Sequence, residues 1–233
     1  MKIGIMQPYF FPYIGYWQLI SAVDKFIIYD NIKYTKKSWI RRNRILIDGS
    51  DKMFTIPIKN DSDYLNIGNR YLSDDHMIEC HKILKQIIKA YSHAPEFDKV
   101  MPLIEEIMLF ESDNLFDFIY NSIIKVAEFL EIKTELIVSS KIEMDHTLKF
   151  KDRVVETCRK LNATQYYNAI GGVTLYDKQE FLREGIELSF IQTNDLSYKQ
   201  FNNVFVPNLS IIDVMMFNDL TQIKALLDDY AII

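Results

Sequence analysis

The sequence predicts an α/β protein with a Rossmann-like, mainly parallel sheet and a helical block, at about 74–131, packed against it. Three observations carry this. Residues 3–30 read as strand, loop, helix and strand; the last third alternates strands with helices; and between them lie about sixty residues of helical apolar spacing. No linker composition separates the block from its flanks, so a single α/β domain over 1–233 is expected.

Lys2–Met6 is a short apolar run that reads as a buried strand. Pro8 and Pro12 cannot donate ladder hydrogen bonds and restrain the residues before them. The strand therefore stops near Gln7, and a stiffened loop carrying Tyr9, Phe10, Phe11 and Tyr13 follows. Gly15–Val23 has apolar groups at helical spacing, and Lys25–Tyr29 is a second strand ending at Asp30. Arg44–Ile47 and Lys52–Ile58 read as a hairpin about Asp48-Gly49, a strong turn signal, and Asp61–Asn69 as a surface loop. Asp74 and Asp75 suit the cap of a helix over His76–Tyr91, Pro95 restarts one through Phe110, and Ser112-Asp113 suits the cap of a long one to about Leu130. Then follow a strand at Glu135–Val138 ending in Ser139-Ser140, a helix at Phe150–Leu161 and a strand at Gln165–Asn168. A turn at Gly171-Gly172, a helix at Asp177–Glu184 and a strand at Leu188–Gln192 complete the alternation.

Hydrophobic residues make up 48% of the chain and charged residues 25%, the balance of a globular protein. A net charge of −5 argues against nucleic acid as a partner, so any anion site must be local. Cys80 and Cys158 stand alone, without the spacing of a disulfide framework or zinc ribbon, which fits a reducing cytoplasm. The N-terminus does not resemble a signal peptide, and no apolar run approaches the roughly 18 residues that span a bilayer, so no membrane insertion is expected.

The chemistry is expected where the first strand ends, because open α/β sheets bind ligands at the carboxyl ends of their strands. Four aromatics in the five residues from Tyr9 to Tyr13 cannot all face one core, so part of the loop should touch a ligand. The first turn of the helix opened by Gly15 offers unpaired N–H groups and a positive dipole end to a phosphate. Lys33, Lys36, Lys37, Arg41, Arg42 and Arg44 put six cations in twelve residues, interrupted by Tyr34 and Trp39. Such a run is a solvated face or an anion site; in the second reading the guanidiniums take a diphosphate or triphosphate while Tyr34 or Trp39 stacks on a base or sugar. Ser139 and Ser140 at a strand end, and the paired glycines Gly171 and Gly172, are further candidates for ligand contact. His76, Cys80 and His81 share one predicted helix, but two soft ligands without two more nearby do not make a metal site, and none is expected. His81 is a candidate general acid or base. No P-loop, nucleophile elbow or G-x-G-x-x-G is present.

The block QPYFFPYIGY at 7–16, with Asp24, Tyr29-Asp30, Tyr34, Trp39, Arg42-Asn43 and Ile45, resembles the opening of the WbqC-like family. Further matches are His81, Tyr91, Ala94-Pro95, Phe97, Ser139-Ser140, Ala163-Thr164, Tyr166, Gly171-Gly172, Tyr176 and 209–213, so the resemblance covers nearly the whole chain. It implies a place in bacterial O-antigen and surface-polysaccharide (lipopolysaccharide) biosynthesis, with acyl or aminoacyl modification of a sugar. Gln7, Tyr9, Phe11, Tyr13, Tyr16, Lys36, Arg41, Arg42 and Asn43 join the substrate-binding candidates on this ground. The run from Pro8 to Ala22 is also similar to the start of HxGH-type nucleotidyltransferases and adenylate-forming ligases, with Tyr13 and Tyr16 where those proteins carry histidines. A neutral phenol donates one hydrogen bond but carries no imidazolium charge, so charge stabilisation there would fall to Lys36, Lys37, Arg41 or Arg42.

The expected function is therefore an enzyme, a transferase that forms an amide on the amino group of a nucleotide-linked sugar. A sugar amine is mostly protonated at neutral pH, and His81 or Asp30 would take its proton. The co-substrate is open between acyl-CoA and an acid activated by ATP with Mg²⁺; no firm cofactor is implied, and a homo-oligomer is compatible. The alternatives are an ATP-dependent nucleotidyltransferase and a non-catalytic nucleotide- or carbohydrate-binding accessory protein.

Overall fold

The computed structural model describes residues 1–202 and 204–233. Its six-stranded sheet contains β1 (Lys2–Met6), β2 (Lys25–Ile28), β5 (Glu135–Val138), β6 (Gln165–Ala169), β7 (Glu187–Thr193) and β8 (Tyr230–Ile232), in the order β5-β2-β1-β6-β7-β8. All neighbours are parallel except β7 and β8. The chain leaves β1 toward β2 on one side and later returns to place β6 on the other. The strand order therefore reverses between β1 and β6, as expected of a Rossmann-like sheet.

Period-two alternation sets the two faces. Ile3, Ile5 and Ile27 join a core made by α5 (Phe150–Lys160) and α6 (Lys178–Arg183) through Val154, Cys158 and Phe181. Phe26 and Ile28 point the other way into a larger core. That core contains α1 (Ile14–Ser21), the block α2 (His76–Tyr91), α3 (Phe97–Met108) and α4 (Leu115–Phe129), and the C-terminal α7 (Ile211–Phe217) and α8 (Leu220–Asp228). The block thus shares one apolar cluster with the first helix of the sheet.

Several boundaries differ from expectation. Helix α1 runs from Ile14 and stops at Ser21 rather than Val23. The hairpin is β3 (Arg42–Ile47) with β4 (Ser50–Thr55), beginning two residues earlier and ending three residues earlier than expected, so that Ile56 and Ile58 lie beyond it. Asp48 and Gly49 both have positive φ, 51° and 74°, the conformation of a tight two-residue hairpin turn. The expected 61–69 loop ends in a 3-10 turn, Ile67–Asn69, anchored by the fully buried Ile67. Asp75 does not cap α2; its carboxylate accepts from the Ser73 hydroxyl instead. Asn114, not Ser112 or Asp113, caps α4, accepting from the N–H groups of Phe116 and Asp117. Helices α7 and α8 and strand β8 were not anticipated. Ser210 caps the first, and Asp219 with Gln222 forms a capping box on the second.

Candidate functional site

The loop after β1 is held from inside the protein. Phe10 and Phe11 are fully buried, and their carbonyls accept from the Asn43 amide at 3.1 and 2.6 Å. Ser210 also donates to the Phe11 carbonyl, and the Trp17 indole and the Ile211 N–H donate to that of Pro12. With Phe10 and Phe11 inward, Tyr9 and Tyr13 are half-buried and reach two cavities. Phe11 was expected to contact substrate; the structure puts it in the core, because its left-handed φ of 44° turns the chain between the two prolines.

The first cavity, about 360 Å³, lies at the carboxyl ends of β1 and β6, where the strand order reverses. Gln7, Tyr9, Tyr29, Asn168, Gly172 and Tyr176 are among its walls. A Cβ on Gly172 would stand 2.4 Å from the Asn168 amide nitrogen, so that close approach requires glycine; a Cβ on Gly171 would meet nothing within 4 Å. Burial raises the Tyr29 phenol, with the Arg153 guanidinium, 4.8 Å over its ring, acting in the opposite direction. Arg153, from the first turn of α5, is only 7% exposed. It donates to the side chain and carbonyl of Asn31 and to the Ser139 hydroxyl, and none of these acceptors is a carboxylate. Asn31 meets His146 Nδ1 at 3.0 Å, and the Asp30 carboxylate accepts from the Ser140 N–H at 2.9 Å. The carboxyl ends of β2 and β5 are thereby tied together beside the crevice.

The second cavity, about 310 Å³, is walled by Tyr9, Pro12, Tyr13, Trp39, Asn43 and Arg44. Tyr9 belongs to both cavities, braced by Tyr16 at a ring separation of 5.6 Å.

The basic segment does not present a cluster of free cations. Arg41 donates to the Tyr34 hydroxyl and the Ile56 carbonyl, and Arg42 to the carbonyls of Ser38 and Lys37. Arg44 pairs with Asp51, Lys36 with Asp63 at 2.8 Å, and Lys33 lies over the Tyr64 ring. Like charges crowded in sequence have been dispersed by the hairpin, which aims the arginines at backbone carbonyls. Tyr34 is buried beneath Arg70, and so stacks on a protein cation rather than on a ligand.

The first turn of α1 is closed as well. Ile14, Gly15 and Tyr16 are buried, the space beside Gly15 is filled by the Tyr13 ring and Thr193, and the Tyr16 hydroxyl donates to the Gln7 carbonyl. The phosphate expected at that helix end has no open seat, and of the two tyrosines standing in the HxGH places Tyr13 lines the second cavity while Tyr16 is buried. His81 is exposed on α2 with Nδ1 against the Met77 carbonyl, and Asp30 stands one residue past Tyr29. Ser139 is buried in the Arg153 network, whereas Ser140 is exposed. Burial holds the Cys80 thiol up at about 11, and His76 Nδ1 meets the Ser73 carbonyl. Among the described residues, no group of three or more His, Cys, Asp and Glu is gathered as metal ligands, and no helix is long and apolar enough to cross a membrane.

The sequence reading thus brings Gln7, Tyr9, Gly171 and Gly172 to the first cavity and Tyr9, Tyr13, Trp39 and Asn43 to the second. It missed Tyr176 and Asn168 as walls of the crevice, and Asn31 and Arg153 beside it. Tyr29 and Asn168 carried a usable signal, since both close predicted strands. Arg153 carried none, being one more cation on an amphipathic helix.

No solved structure matches the chain. An uncharacterized protein, Rv1507c of Mycobacterium tuberculosis (strain ATCC 25618 / H37Rv), is 26% identical over 220 residues, covering 93% of each chain. The WbqC-like protein family matches over residues 7–225, a span that includes the aromatic loop, both cavities and the C-terminal helices; the chain therefore belongs to that family, which is associated with O-antigen biosynthesis.

Proposed function

We propose that the protein binds a nucleotide-linked amino sugar in the crevice between β1 and β6 and transfers an acyl or aminoacyl group to its amine, in surface-polysaccharide biosynthesis. The observation that carries the reading is the composition of that crevice: four phenol rings, Tyr9, Tyr29, Tyr166 and Tyr176, with the amides of Gln7 and Asn168 beside them. Rings cover the flat faces of a sugar or base, and amides and phenols match hydroxyl groups. The buried guanidinium of Arg153 behind Tyr29 adds a positive potential that suits the phosphates.

In this reading Asp30 takes the ammonium proton, since it stands at the carboxyl end of β2 beside the crevice while His81 is exposed on α2. The freed amine attacks the acyl carbonyl, and a thiolate or an adenylate leaves. The test is acylation of a nucleotide-linked amino sugar, followed by mass spectrometry, with acyl-CoA or with a carboxylic acid and Mg·ATP. Asp30→Asn is expected to lose turnover and keep affinity, and His81→Ala to keep both. Loss on His81→Ala with Asp30→Asn active would overturn the assignment of the base.

One observation favours a second reading, a carbohydrate-binding accessory protein: among the described residues, the walls of the crevice include no carboxylate, imidazole or ammonium. Binding of the nucleotide-linked sugar without turnover by either donor would select it.

A further inference from the structure

The geometry points to the Trp39 cavity as a second, separate binding site, one that takes an uncharged sugar ring. Its walls are three aromatic rings, Tyr9, Tyr13 and Trp39, with the Pro12 ring and the Arg44 side chain. The Trp39 indole is 38% exposed and held by the guanidiniums of Arg42 and Arg44 at 5.6 and 5.4 Å. An aromatic this open, yet fixed on a rigid support, is a platform rather than a loose side chain.

The charge at the cavity selects the ligand class. Arg44 Nη1 pairs with Asp51, its Nη2 donates to the Asn208 carbonyl, and Arg42 donates from Nε and Nη2 to the carbonyls of Ser38 and Lys37. What remains is Arg44 Nε, buried and without a partner among the described residues. The one charged wall among the described residues, Arg44, is already paired with Asp51, so a phosphate or carboxylate would find no unpaired charge there. A pyranose ring would lay its C–H face on the aromatics.

The two cavities meet only at Tyr9, and at about 310 and 360 Å³ each is at the small end of the range for ligand sites. Each suits a single ring-sized group, so two ligands would sit on opposite sides of the Tyr9 ring. The identity of the neighbouring ligand rests on the preceding reading; the sugar site itself does not.

The chain reports on itself, because it has two tryptophans and the other, Trp17, is fully buried. Titration of the full chain with N-acetylglucosamine and with glucose, at millimolar concentrations, is expected to change the fluorescence of Trp39 saturably. By calorimetry, Trp39→Ala is expected to lose about tenfold in affinity, the scale of one stacked ring, and Trp39→Phe less. Gly171→Leu adds a bulky side chain at the crevice wall without a clash at Cβ and is expected to leave the sugar signal at Trp39 unchanged. No saturable change with either sugar, or equal affinity in Trp39→Ala, would overturn the second site, as would loss of the signal in Gly171→Leu. Binding of a nucleotide-linked sugar is scored separately in Gly171→Leu: its persistence there would overturn the crevice reading and leave the Trp39 site standing.

Discussion

Asp213 shows how much a single residue can carry in this chain. Fully buried in the first turn of α7, its carboxylate accepts from the hydroxyls of Tyr91 and Tyr198, at 2.8 and 2.7 Å, and from the Gln200 amide at 2.6 Å. Burial pushes its pKa above the ordinary 3.8, with the three hydrogen bonds acting the other way. The folded protein therefore holds this proton more tightly than the unfolded chain. The stability it contributes is fully present below the ordinary value and is lost as pH rises through the raised one. Asp213→Asn removes that dependence but turns an amide N–H toward one of the three donors, at a cost of about 1–3 kcal/mol. Urea unfolding of both proteins from about pH 4 to 7 is expected to show their gap narrowing as pH rises; a constant gap would sink the argument. At the crevice, Gly172→Ala must displace the Asn168 amide, whereas Gly171→Ala meets open space. Calorimetry with a nucleotide-linked sugar should therefore find affinity weakened by the first and unchanged by the second. Tyr9 and Trp39 were visible in the sequence as aromatics in a loop. Which rings face outward was not, because that depends on Asn43 and Ser210 pulling the Phe10 and Phe11 carbonyls inward.

At the scale of elements, the legible ones were those with a strong period. Helix α2 was read with its bounds because Cys80, Ile83, Leu84, Ile87 and Tyr91 fall on one buried face. Its cap was misread, since both candidates have other partners: Asp75 accepts from the Ser73 hydroxyl and Asp74 pairs with Lys59. Asn114 wins at α4 because its amide also donates to the Gly68 carbonyl at 2.8 Å, which fixes the side chain where it can accept from the helix. Asn114→Ala is expected to cost about 1–2 kcal/mol, and chemical denaturation with an Asn114→Asp control, which keeps the cap oxygens, checks whether the cap or the Gly68 contact dominates. The hairpin turn makes a sharper case. Gly49→Ala forces a Cβ into left-handed backbone and should cost about 1 kcal/mol, read as a lowered unfolding midpoint. The C-terminal helices escaped notice because α7 is buried all round, from Ile211 to Phe217, and a helix with no polar face shows no amphipathic period.

For the whole molecule, the C-terminus closes the sheet. Strand β8 pairs antiparallel with β7, and the fully buried Gln18 side chain donates to the carbonyls of Leu226 and Asp229 while accepting from Thr193. Deleting residues 230–233 bares the edge of β7, and light scattering is expected to show concentration-dependent aggregation with ligand affinity at the crevice retained. The α/β class, the parallel sheet and the place of the aromatic loop were settled by the sequence alone, because hydrophobic period and proline chemistry act on neighbouring residues. Only the tertiary structure decided the rest. It chose the strand order that sets β6 beside β1, the division of the aromatic loop between core and cavity, and the dispersal of Lys36, Arg41, Arg42 and Arg44 onto carbonyls and carboxylates. Those outcomes depend on contacts between residues as distant as Asn31 and Arg153, or Phe11 and Ser210, and no local pattern records which distant partner a side chain will meet.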